Sequence, residues 1–172
     1  MAPFEFVPVA QAFWLKGLPN TVDKLIPSSE HHLIDEAVRE AEKKTSSRIR
    51  FLALGCVDKD VKSFSQQVAR DFVLLRMNET SLRNSVLIAV LVTEERRAFV
   101  ICPDEGVLAK HPQSYWDNLT SNFKGNFSKY PTYTPGIVAI INEVGRVLAS
   151  DGMFPRTVAD ADKVRNTTSL EK

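Results

Sequence analysis

The sequence predicts an α/β sandwich around a small mixed sheet, and two observations carry that prediction. Apolar residues recur at helical spacing in four segments, and three short runs of strand character lie between them. Two of those runs, Val86–Val92 and Arg97–Cys102, are separated only by the turn Thr93–Glu95, which favours an antiparallel hairpin. The order helix, strand, helix, strand, strand, helix, helix belongs to a layered α/β fold. With 172 residues, the chain can bury one substantial core.

Residues 1–27 carry Pro3, Pro8, Pro19 and Pro27, with Phe4, Phe6, Phe13, Trp14 and Leu15 between them. Proline disfavours the helical state of its predecessor, so this segment is expected to be an extended strap. Its aromatic residues need burial, either by wrapping the domain or by docking on a protein partner or a second copy. Ser28 or Ser29 can cap the first helix, whose stripe is Leu33, Ile34, Ala37, Val38 and Ala41. Lys43 and Lys44 suit its C-terminal dipole, and Thr45–Ser47 ends it. Ile49–Leu54 reads as a strand broken by Gly55. Asp58 or Asp60 is expected to start the second helix, with Val61, Phe64, Val68, Phe72 and Leu75 on one face and an end near Asn78.

Val86–Val92 is nearly all apolar, as suits a central strand covered on both faces. A third helix is expected from about Pro112, carrying Trp116, Leu119, Phe123 and Phe127. Lys129–Pro135 reads as a loop. The fourth helix, Pro135–Ala149, buries Ile137, Ile140, Ile141, Val144 and Leu148, and proline suits its first turn. The polar residues 156–172 are expected to form a mobile tail, leaving 28–155 as the domain.

Lys plus Arg number 22 and Asp plus Glu 21, a net charge of +1 that gives no argument for a nucleic-acid partner. The first residues lack a basic n-region and a continuous apolar core, and Val86–Val92 is too short to cross a bilayer. No transmembrane segment and a soluble, cytoplasmic protein are therefore expected. Cys56 and Cys102 lie in or beside predicted strands and read as buried thiols. The P-loop, the Rossmann glycine pattern and the G-x-S-x-G elbow are missing. His31 and His32 are adjacent, so on a helix they diverge by about 100° and do not form a metal-gripping pair. Neither cysteine is followed by an arginine-bearing, glycine-rich phosphate cradle.

Carboxylates remain. Asp104, Glu105 and a nearby backbone carbonyl can hold a hard cation such as calcium or magnesium, with Gly106 letting the chain turn tightly. A plain acidic turn with no metal is the alternative. Glu94 and Glu95 lie at the far end of the second hairpin strand, too distant for shared coordination. Antiparallel geometry allows Arg83 to pair with Asp104 if the hairpin brings the two strand ends together, as an ordinary ion pair or as an anion-handling arginine beside a metal. Asn84 can cap the adjoining turn.

The stretches AEKKTSSRIRF at 41–51, FVLLRMNETSLRNSVLIAVLVTEERRAFVI at 72–101, DEGV at 104–107, YWDNL at 115–119 and MFP at 153–155 resemble the TPM domain family. The resemblance implies a three-layer α/β/α sandwich. It also implies acidic loops that bind calcium or other divalent ions in some members, acid phosphatase activity in some, and roles in membrane-complex assembly or repair in others. Arg83 and Asn84 match the family's arginine–asparagine pair, with Ser85 in place of the usual glycine. Glu95 replaces a common aspartate before Arg96. Asp104 and Gly106 match the acidic glycine turn, and Thr45 the threonine closing the first helix. Two functions follow as expectations. One is a binding or assembly module tuned by a divalent cation. The other is a metal-dependent phosphomonoesterase with Asp104 and Glu105 as ligands and Arg83 neutralising phosphate.

Overall fold

The computed structural model describes residues 19–123 and 132–156, together with the backbone of residues 13–14 and 170–171. In chain order, β1 (Phe13–Trp14), α1 (Val22–Leu25) and α2 (His31–Glu42) lead to β2 (Ile49–Leu54) and α3 (Phe64–Leu74). The hairpin β3 (Val86–Val92) and β4 (Arg97–Pro103) follows. Then come α4 (Glu105–Leu108), α5 (Gln113–Asn122), α6 (Thr134–Ala149) and β5 (Leu170–Glu171).

The three longer strands carry a mixed sheet. β2 and β3 run parallel, with Ile49 opposite Val86 and Leu54 opposite Leu91. β3 and β4 are antiparallel, with Val86 opposite Pro103 and Val92 opposite Arg97. The turn between them is tied by Thr93, whose Oγ1 accepts the Arg96 N–H at 2.8 Å. The two-residue strands lie on the edges, giving the spatial order β1-β4-β3-β2-β5. β1 lays part of the N-terminal segment against β4. The remaining apolar positions of the strap, Phe4, Phe6 and Leu15, lie outside the described residues, as does Phe127.

Side-chain alternation along each strand makes the layers. Phe51, Ile88, Val90, Phe99 and Ile101 face one side, where α2, α5 and α6 supply Ile34, Val38, Trp116, Ile140 and Val144. Leu52, Leu54, Leu87, Ala89 and Val100 face the other, covered by Phe64, Val68 and Phe72 of α3. The result is the expected three-layer sandwich. α2 and α6 cross closely at Gly145, where an added Cβ would sit 2.7 Å from Ala41 Cβ.

Several boundaries differ from the sequence expectation. Ser28 and Ser29 do not cap α2; they form a 3-10 turn, and Glu30 precedes the helix with no side-chain cap. Neither Asp58 nor Asp60 starts α3. Ser63 does, its Oγ accepting the Gln66 N–H at 3.2 Å, while both aspartates pair with Arg70. α3 stops at Leu74 because Arg76 turns left-handed at φ 59°. The strap is not extended throughout. Thr21 caps α1, and Leu25 and Ile26 are buried in the core.

The chain closes where residues 150–156 return to the end of α2. Thr45 Oγ1 donates to Phe154 O at 2.5 Å, and Arg156 N–H donates to Lys44 O at 3.0 Å. Met153 and Phe154 are buried.

Candidate functional site

The acidic glycine turn begins a helix. Asp104 is the N-cap of α4, its Oδ1 accepting the Glu105 N–H at 2.8 Å. The same carboxylate is held from the other side by Arg83, with Nε to Oδ2 at 2.7 Å and Nη2 to Oδ1 at 3.0 Å. The third guanidinium nitrogen, Nη1, reaches Glu105 Oε1 at 3.0 Å. Asp104 is fully buried, whereas the Glu105 side chain is half-exposed. Gly106 is required for close approach rather than for unusual dihedrals. Its N–H donates to Arg83 O at 2.8 Å, and a Cβ there would lie 2.1 Å from Leu82 O.

The left-handed conformation falls on Arg83 itself, at φ 51°. Such a backbone costs a non-glycine residue free energy, which the ion pair and the Gly106 hydrogen bond offset. Ser85 does not have positive φ, so its backbone is not in the left-handed region that favours glycine. Asn84 is buried but does not cap the turn with its side chain. Thr80 Oγ1 receives its backbone N–H at 3.1 Å, and its Nδ2 donates to Ser46 Oγ at 3.2 Å. This ties the arginine–asparagine pair to the segment that follows α2.

Glu95 stands apart from these four residues. It sits in the β3–β4 turn, separated from Asp104 by the whole length of β4. It lines a crevice of about 480 Å³ beyond the C-terminal ends of the parallel strands β2 and β3, with Cys56, Asp58, Lys59, Lys62 and Arg96. Open α/β sheets bind ligands at this end. In sequence the 55–62 loop carries no arginine-bearing, glycine-rich phosphate cradle, so no motif marked it. The signal was topological, namely a parallel pair with a polar loop after Gly55.

A narrower groove of about 260 Å³ continues from the crevice between β2 and α3. Asp71 lies in it, and burial raises its carboxyl above the usual aspartate range, helped by the charge of Asp58 and opposed by the Gln67 amide. The Gln67 Oε1 accepts the Asp58 N–H at 2.8 Å, which fixes the loop to α3.

The two thiols differ. Cys102 is buried, and burial, with the charge of Asp104, pushes its pKa far up. Cys56 is exposed at the crevice rather than buried as expected, because the chain leaves the sheet after Leu54. Neither is in a disulfide. Among the described residues no three histidine, cysteine or acidic side chains are grouped as a metal centre.

The TPM domain family profile matches residues 20–147, most of the chain. The chain belongs to the TPM domain family. This TPM domain is also similar to the NMR structure of the BA42 protein from the psychrophilic bacterium Bizionia argentinensis. The two are 29% identical, the match covers 88% of this chain and 99% of that chain, and the TM-score is 0.68. No curated protein matches. The family match takes in α1, and it ends before the 150–156 clasp. No described helix of this TPM domain is long and apolar enough to cross a membrane.

Proposed function

We propose that this TPM domain is a binding module that takes its ligand at the crevice beyond β2 and β3, and that the 104–106 turn is a structural latch. The observation that carries this reading is the state of Asp104. Both of its oxygens are occupied by Arg83 and one also by the Glu105 N–H, with no exposed surface. A calcium or magnesium ion on Asp104 and Glu105 would have to reach a carboxylate with no exposed surface and sit beside the guanidinium that bridges the two acids, and displacing Arg83 from its buried partner costs about 3–5 kcal/mol. The crevice, by contrast, is open and offers both signs of charge, with Lys59, Lys62 and Arg96 near Asp58 and Glu95.

The alternative is a metal-dependent acid phosphatase acting on phosphomonoesters. The test titrates metal-stripped protein with calcium, magnesium and manganese, reads amide shifts, and assays p-nitrophenyl phosphate in parallel. The binding-module reading expects no saturable shift centred on residues 104–106 and no turnover above a metal-only blank. Turnover abolished by Asp58→Asn or Asp104→Asn, in variants that remain folded, overturns it.

A further inference from the structure

We infer that the groove between β2 and α3 binds a primary ammonium group on an unbranched alkyl stem, with Asp71 as its counter-ion. The groove, of about 260 Å³, has apolar walls from Leu52, Leu54, Leu74 and Leu75 and carboxylates from Asp71 and Asp58. Among the described residues no lysine or arginine lines it. The charge that complements it is therefore positive, and the body that carries the charge is apolar. Leu74, at 70% exposure, is a wall that the fold itself does not bury. The inference goes beyond the crevice reading, and an empty crevice leaves it standing.

Asp71 is oriented by a relay from the backbone. The Asp58 N–H donates to Gln67 Oε1 at 2.8 Å, which turns the Gln67 Nε2 towards Asp71. Nε2 lies 3.2 Å from both Asp71 oxygens. Gln67 itself is buried, at 4% exposure. A neutral amide orients a carboxylate without neutralising it. Among the described residues no lysine or arginine forms an ion pair with Asp71, and the neighbouring Arg70 is engaged by Asp58 and Asp60. Burial raises the Asp71 carboxyl against the Gln67 amide, and the charge of Asp58 adds to the rise. A cation seated here relieves the desolvation and the like-charge repulsion together. The position of Nε2 also selects the cation. Midway between the two oxygens, it takes the approach that a guanidinium fork uses in a bidentate pair. The outer lone pairs remain, within reach of a compact ammonium with three rotatable donors. A lysine side chain and a free aliphatic amine share this chemistry, and the stem of either lies against the leucine walls.

The probe is n-butylammonium chloride titrated into the full chain, read by amide shifts and by the carboxyl carbon of Asp71. The expected result is saturable shifts at residues 52–58 and 67–75, with the Asp71 carboxyl carbon moving at the same dissociation constant. Asp71→Asn should weaken binding at least about tenfold. The uncharged n-butanol and the forked n-butylguanidinium should both bind more weakly. Nα-acetyl-lysine amide and diaminobutane then separate the two sources: the one that displaces n-butylammonium at the lower concentration names it. No saturable shift, an Asp71 carboxyl carbon that does not move, or full binding by a folded Asp71→Asn overturns the proposal. So does equal binding of n-butanol or n-butylguanidinium. Calcium giving the same shifts at lower concentration overturns it too, since the occupant is then a divalent cation.

Discussion

Asp104 has two roles that its sequence context does not separate. It caps α4 and neutralises Arg83, so both of its oxygens already accept hydrogen bonds. Asp104→Asn keeps one acceptor oxygen but leaves Arg83 without its buried counter-charge. Urea unfolding should show a loss of about 3 kcal/mol, with no change in divalent-ion affinity. A variant of wild-type stability would mean that Arg83 is satisfied elsewhere. Glu42 makes a pH prediction. Burial raises its carboxyl above the ordinary value of 4.5, against the Ile49 N–H and the nearby Arg50, Arg48 and Arg156. Its folded-state pKa exceeds its unfolded one, so its contribution is fully present below the unfolded value and is lost as pH rises through the folded value. Glu42→Gln keeps an acceptor for Ile49 and removes the titration. Urea midpoints from about pH 4 to pH 7 should fall for the wild type relative to this variant; a constant difference would contradict the assignment.

The helices differ in how legible they were. Ile49–Leu54 and Val86–Val92 were readable to the residue, because a buried strand between layers needs apolar side chains on both faces. Helix starts were less readable, since Ser, Thr and Asp all serve as caps and only geometry selects among them. Ser63, passed over by the pattern, caps α3, whereas Ser28 does not cap α2. Ser63→Ala should therefore cost about 1 kcal/mol, while Ser28→Ala stays within about 0.5 kcal/mol; equal losses would show the cap assignment to be wrong. The α2–α6 crossing depends on Gly145, where the Ala41 Cβ leaves no room for a side chain. Gly145→Val should lower stability by about 3 kcal/mol in the same denaturant series.

At the scale of the molecule, the domain is closed by a segment beyond the family match. Phe154 is buried, its carbonyl accepts from Thr45, and Lys110 lies over its ring at 4.9 Å. Phe154→Ala should cost about 3 kcal/mol and speed amide exchange at the end of α2, read by hydrogen exchange. If stability is unchanged, the clasp is incidental. The sequence by itself determined the layers and the strand hairpin, while the pairing of Arg83 with Asp104 was only one arrangement it allowed. Hydrophobic period and a short antiparallel link leave few other arrangements. It also marked Arg83, Asn84, Asp104, Glu105 and Glu95 as the residues to inspect. Only the tertiary structure decided that four of them gather at one end of the sheet while Glu95 lines a crevice at the other. That division depends on which carboxylate oxygens are already occupied and on where parallel strands end. Both are set by contacts between residues far apart in the chain, which local pattern does not encode.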